Sequence, residues 1–201
     1  MANEKYITRQ TLLMRAQDPQ DNNAWEEFVA FYKPFICQIL HKMNINFNEF
    51  EDLVQDVLLK LWKGLPKYDT KKAKFRTWLS HVTRNTVISF FRSRSCRPDL
   101  VKMESDEVEE TAYMSSFSES DLEKIFEDEW RSYLCSLALE KIEKLFTGNA
   151  VAAFKLSQKG KSPAEIAEEL NLSKDSVPVL TSRVRSKFTA ELKSLVINLE
   201  F

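Results

Sequence analysis

A chain of 201 residues with 43% hydrophobic content, only three glycines and long runs of Leu, Ala, Lys and Glu has the composition of an all-α protein of one or two domains. Three scattered cysteines and two histidines in no ligand spacing argue against a disulfide framework or a zinc site, and they fit a reducing, cytoplasmic compartment. The polar start MANEKYITRQ reads as no signal peptide, and no apolar run approaches the ~20 residues of a membrane span.

The net charge of −1 hides an asymmetry. Residues 70 to 98 carry Lys71, Lys72, Lys74, Arg76, Arg84, Arg92, Arg94 and Arg97 with no acidic residue. Residues 99 to 129 carry twelve acidic residues, with Lys102 and Lys124 as the basic ones. Such blocks suit a polyanion-binding surface beside an acidic linker, or two solvated faces.

In chain order, Thr8 can cap a short helix ending near Asp18-Pro19. Asn23 followed by Glu26 reads as a capping box for a second helix, which Pro34 should kink or interrupt. Asn48 with Glu51 starts a third, ended by Gly64 and Pro66. On that helix Leu53, Val54, Val57, Leu58, Leu61 and Trp62 share an apolar arc. Asp52, Gln55, Asp56, Lys60 and Lys63 lie opposite. Leu59 falls at about 240° from Leu53, among the polar residues. It is either ordinary surface or the apolar centre of an acidic-rimmed partner patch.

The loop PKYDTKKAK leads into FRTWLSHVTRNTVISFFRSRS, residues 75 to 95. As one straight helix, this segment gathers Phe75, Trp78, Leu79, Val82, Thr86 and Phe90 into a core stripe. Its other side mixes Arg84 with Thr77, His81, Ile88 and Phe91. Duplex phosphates alone ask for cations. Single strands ask for cations together with apolar surfaces for unstacked bases. Asn85 can read a base edge and Tyr68 is a stacking candidate. The alternative is that the second aromatic set packs on another helix.

Residues 99 to 120 are acidic, Ser-rich and aperiodic, the mark of a flexible linker with an r.m.s. span of about 25 Å. Such a segment can also fold back on basic surfaces. Beyond it, Ser162, Pro163 and Glu165 make a capping box, and Asn171-Leu172 a tight turn. Ser173 starts a helix burying Val177, Leu180, Val184 and Phe188. This is a helix-turn-helix or a plain αα-hairpin; Arg183, Arg185 and Lys187 on the second helix favour DNA. Pro178 is the fifth helical residue if Ser173 caps, and the third if the helix starts at Asp175. The second placement costs little.

The run FEDLVQDVLLKLWKGLPKYDTKKAKFRTWLSHVTRNTVISFFRSR resembles region 2 of bacterial sigma factors of the sigma-70 family, in particular the extracytoplasmic-function group. The pattern Asp52-Leu53-Val54-Gln55-Asp56, then Phe75-x-Thr77-Trp78-Leu79, then Arg84-Asn85-Thr86 carries it. The C-terminal helix pair resembles sigma region 4.

The resemblance implies two small helical domains, at 1–98 and 121–201, joined by a flexible acidic linker at 99–120. It implies that Asp52, Gln55, Asp56, Leu59 and Lys63 bind the coiled coil of the RNA polymerase β′ subunit. Tyr68, Lys71, Lys74, Arg76, Thr77, His81, Arg84, Asn85, Ile88, Phe91 and Arg92 would bind and melt the promoter's minus-ten element. Lys174, Ser176, Val179, Ser182, Arg183, Arg185 and Ser186 would read the minus-thirty-five element, near the β flap. It leaves open whether an anti-sigma protein is a further partner, and it implies no cofactor, no metal and no catalysis. Where this chain has Pro178 the family commonly has arginine, so weaker or altered upstream recognition is expected. A repressor or activator that binds duplex DNA without polymerase is the alternative. An all-α enzyme finds no catalytic motif to support it.

Overall fold

The computed structural model describes residues 12–43, 45, 47–95 and 119–199, and every regular element among them is helical. After a helical segment at residues 12–16 come α1 (Asn22–Lys42), α2 (Phe47–Gly64), a 3-10 turn (Leu65–Lys67), α3 (Phe75–Ser95), α4 (Glu119–Leu145), α5 (Ala150–Gln158), α6 (Pro163–Glu169) and α7 (Ser176–Leu199). The chain forms two compact units, residues 1–131 with 198–201 and residues 132–197. The division falls inside α4, downstream of residue 120. Thr8, Arg97 and residues 101–118 of the acidic linker lie outside the described residues.

In the first unit α2 packs on both α1 and α3. α1 buries Phe28, Tyr32, Phe35, Ile36, Ile39 and Leu40, and α2 buries Leu53, Val54, Val57 and Leu61. Phe75 stands at the centre of the aromatic core. Its ring lies 5.9 Å from Phe28, 5.0 Å from Tyr32 and 5.5 Å from Tyr68. Contacts of this spacing add about 0.5–1.5 kcal/mol per pair beyond the burial itself.

Two expectations about α1 are corrected. Its N-cap is Asp21, not Asn23: Asp21 accepts from the Ala24 N–H at 2.9 Å and pairs with Arg15 at 3.0 Å. The Arg15 guanidinium and that amide hold the Asp21 carboxyl below its ordinary value. Pro34 does not interrupt the helix. It points outward, and Ala30, whose carbonyl it leaves without an amide partner, is exposed too, so water can serve that oxygen. The next helix, α2, begins at Phe47, placing Asn48 inside the first turn rather than ahead of it.

Left-handed residues end two helices of the second unit. Gly160 has φ +84°, and α5 ends with the Gly160 N–H donating to Ser157 and the Lys161 N–H to Leu156. Asn171, at φ +51°, repeats the motif after α6: its N–H donates to Glu168 and that of Leu172 to Ala167. The second turn sets the angle between α6 and α7. The Asn149 side chain fixes it further by donating to the Leu170 carbonyl at 3.0 Å. The capping box at Ser162 and Glu165 forms as expected. These bonds hold the Glu165 carboxyl below its ordinary value. From α7, Val177 enters a cluster with Ala153, Ile166 and Ala167, and Val184 one with Ile142, Val151 and Phe154.

Candidate nucleic-acid interface

The loop between α2 and α3 is held at several points. Gln17 donates to the carbonyls of Leu65 at 3.1 Å and Tyr68 at 2.8 Å. Asp69 accepts the Lys71 N–H at 2.9 Å, an Asx turn that leaves Lys71, Lys72 and Lys74 exposed. Tyr68 is 7% exposed and donates its hydroxyl to the Ala73 carbonyl at 2.9 Å. Burial pushes its phenol above the ordinary value. Expected as a stacking surface, Tyr68 is instead the underside of the loop, its ring packed 5.5 Å from that of Phe75 and 5.1 Å from that of Trp78. Gly64 makes room for this cluster: a Cβ there would stand 3.0 Å from the Trp78 ring.

Along α3, which runs without a break, Phe75 and Leu79 are buried as expected, and Trp78, Val82 and Phe90 partly so. Thr83, Thr86 and Val87 are buried as well. Thr83 and Val87 widen the stripe beyond the arc read from the sequence. The two hydroxyls are tolerated there because they donate to the carbonyls of Leu79 and Val82, at 2.9 and 2.7 Å. Thr77, His81, Asn85 and Arg92 are exposed; Arg76, Arg84 and Ile88 are partly buried. The Phe91 side chain lies outside what is described.

Sequence reasoning missed what faces this helix. A groove of about 430 Å³ runs along Arg76, Thr77, Ser80, His81 and Arg84. Its opposite wall is the start of α4, including Glu123, Lys124 and Glu127. Arg76 pairs with Glu127 at 2.7 Å. Phe126 and Trp130, buried in the same unit, approach Phe35 at 6.4 and 5.0 Å. The one available signal was the spacing of these two aromatics, one helical turn apart.

On α2, Leu59 is 48% exposed, and Asp52, Gln55, Asp56, Lys60 and Lys63 around it are exposed too. On α7, Val179 is 59% exposed, and Ser182, Arg183, Arg185, Ser186 and Lys187 share the outer surface. Lys174 is exposed just ahead of the helix and Ser176 is partly buried. The helix begins at Ser176, so Pro178 is its third residue, where no intrahelical amide bond is lost. Among the described residues, no group of three or more His, Cys, Asp or Glu could hold a metal ion. No helix of the described residues is long and apolar enough to cross a membrane.

The family model for sigma-70 region 2 matches residues 28–96, the segment that holds α2, the loop and α3. That segment is similar to sigma-70 region 2. The ECF RNA polymerase sigma factor SigW of Bacillus subtilis is 32% identical over 79 residues, 39% of this chain and 41% of that protein. SigG of Mycobacterium tuberculosis, also an ECF sigma factor by name, is 31% identical over 85 residues, 41% of this chain and 22% of its own. RpoE of Cereibacter sphaeroides is 30% identical over 81 residues, 40% of this chain and 45% of its own. These likenesses to sigma-70 region 2 and to ECF sigma factors lie within about two fifths of the chain. The matches span less than half the length of these curated relatives. Among solved structures, CnrH in complex with the cytosolic domain of CnrY is 22% identical over 92% of this chain and 97% of that one. Its TM-score is 0.36, a likeness too loose to carry weight.

Proposed function

We propose that the chain is an alternative sigma factor, which binds RNA polymerase core and directs initiation at particular promoters. The observation that supports this best is the pairing of two surfaces inside the region 2 segment. One is an exposed leucine with an acidic rim on α2; the other is the basic, hydroxyl-rich face of α3. Leu59 with Asp52, Gln55, Asp56 and Lys63 docks on the polymerase β′ coiled coil. Apolar contact at its centre excludes water, and the rim sets the orientation.

Lys71, Lys74, Arg76, Arg84 and Arg92 then hold phosphates of the minus-ten element, while Thr77, His81, Asn85 and Ile88 receive an unstacked base. Tyr68 shapes the loop from beneath. No bond is made or broken by this chain. The strand opens because the open form gains contacts that the closed duplex cannot make. On α7, Val179, Ser182, Arg183, Arg185 and Ser186, with Lys174 and Ser176 at its start, read the upstream element near the β flap. An anti-sigma protein is a further partner of the kind such surfaces attract.

The test is co-purification with bacterial core polymerase, followed by fluorescence of a base analogue in the non-template strand of the cognate promoter. The expected result is polymerase binding by the wild-type chain, its loss in Leu59→Asp, and unstacking of the analogue in the holoenzyme. Tight binding to duplex DNA without polymerase, with no polymerase capture, would instead identify a conventional helix-turn-helix regulator.

A further inference from the structure

We propose that the first half of α4 is an internal competitor for the strand-binding face of α3, so that the free chain keeps this face partly covered; the inference rests on the strand-capture reading above. Residues 119–131 carry Glu119, Asp121, Glu123, Glu127, Asp128 and Glu129 against Lys124 and Arg131. They offer a row of carboxylates where a nucleic-acid strand would offer phosphates.

Four positions on two successive turns make the dock. Phe126 and Trp130 anchor it, with their rings set edge-on to Phe35. Glu129 approaches Lys42 at 3.9 Å. Glu127 takes Arg76 at 2.7 Å, and both side chains remain within reach of solvent, at 39% and 25% exposure. A phosphate arriving at Arg76 would therefore meet a carboxylate already in place. At such short separation and partial desolvation the repulsion is screened far less than between distant surface charges.

The covered stretch runs from Arg76 to Arg84. Asn85 and Arg92 stay exposed and outside the groove, so the cover lowers affinity rather than abolishing it. Strand binding and docking of residues 119–131 are thus mutually exclusive at Arg76, and each weakens the other by the same factor.

The experiment uses the full chain without polymerase and a labelled single-stranded oligonucleotide of the non-template promoter sequence. Glu127→Gln, a change at a half-exposed position that spares the aromatic anchors, should bind the oligonucleotide about threefold to fivefold more tightly than wild type. Asp128→Asn deletes the same charge one residue along, where the carboxylate reaches Arg131 at 4.0 Å, and serves as the control. It should change affinity by less than about twofold, as a screened surface charge does. Hydrogen exchange provides the second measurement: saturating oligonucleotide should lower protection of the amides in residues 119–131. Equal effects of the two substitutions, or unchanged protection when the strand is bound, would overturn the proposal. Failure of every variant to bind the strand, with and without polymerase core, would overturn the proposed function and this inference together.

Discussion

The α3 and α7 helices each turn an arginine-bearing side outward, yet they present it differently. Along α7, Val179, Ser182, Arg183, Ser186 and Lys187 line a shallow groove completed by Phe146 and Pro178, with no carboxylate among them. Along α3, the comparable groove is walled by Glu123 and Glu127, and its first arginine is already ion-paired. Composition along each helix is similar, so composition does not decide whether a cationic face is open. What decides it is a segment more than 30 residues further along the chain, placed by two aromatic anchors.

The comparison can be broken most severely through the cores that hold the two faces. Phe154 is 4% exposed beneath α7, and Phe154→Ala should cost about 3–5 kcal/mol in urea unfolding. A loss below about 1 kcal/mol would mean that α7 is not held by this cluster. At the surface of α2, Leu59→Asp should weaken polymerase core binding by about 30-fold, the cost of losing a binding hot spot, with stability unchanged. Normal affinity in a titration would remove α2 from the docking face.

Smaller changes sharpen the picture of how α7 is presented. Asn171→Ala should cost about 1 kcal/mol, because an alanine in the left-handed region strains the turn, whereas Asn171→Gly should be close to neutral. Equal melting behaviour of the two variants would show that the turn conformation is not what orients α7. Ser162→Ala should cost a similar amount, about 1 kcal/mol, by removing a helix cap. It should also flatten part of the acid limb of the stability profile. The Glu165 carboxyl is held below its ordinary value of 4.5, chiefly by Ser162, so its contribution is complete above that pH and is lost as pH falls through the lowered value. An acid limb identical to that of the wild type would contradict this. Pro178→Arg is the mildest change: with proline at the third helical position the backbone needs no repair. The new cation should raise upstream-duplex affinity and steepen its salt dependence by about one phosphate contact. Unaltered binding would argue that this turn of α7 does not approach the DNA.

Much of the first unit was legible because its helices bury one face each. The period of the apolar residues located the α2 core, the exposed Leu59 and most of the α3 stripe. Local reading failed where a distant partner set the outcome. Asp21 displaced Asn23 as cap because Arg15 pairs with it. Tyr68 moved from surface to core because Trp78 and Phe75 surround it, a packing that Gly64 permits. Pro34 did not end its helix, and both it and Ala30, four residues before it, are exposed. Nothing near Phe126 and Trp130 says which core receives them; that information resides in Phe35, on another helix. In the second unit the α6–turn–α7 pair was readable from the Ser162 capping box and the turn at Asn171. The choice between two starts for α7, and hence the standing of Pro178, needed the Ser176 boundary.

Of the 27 residues of α4, the first half belongs to one compact unit and the rest to the other. Limited digestion in the acidic stretch would therefore not yield two clean pieces. The upstream piece would lose the lid over Phe35, and the downstream piece would trail Phe126 and Trp130 into solvent. Both would bear fresh sticky aromatic patches and tend to self-associate.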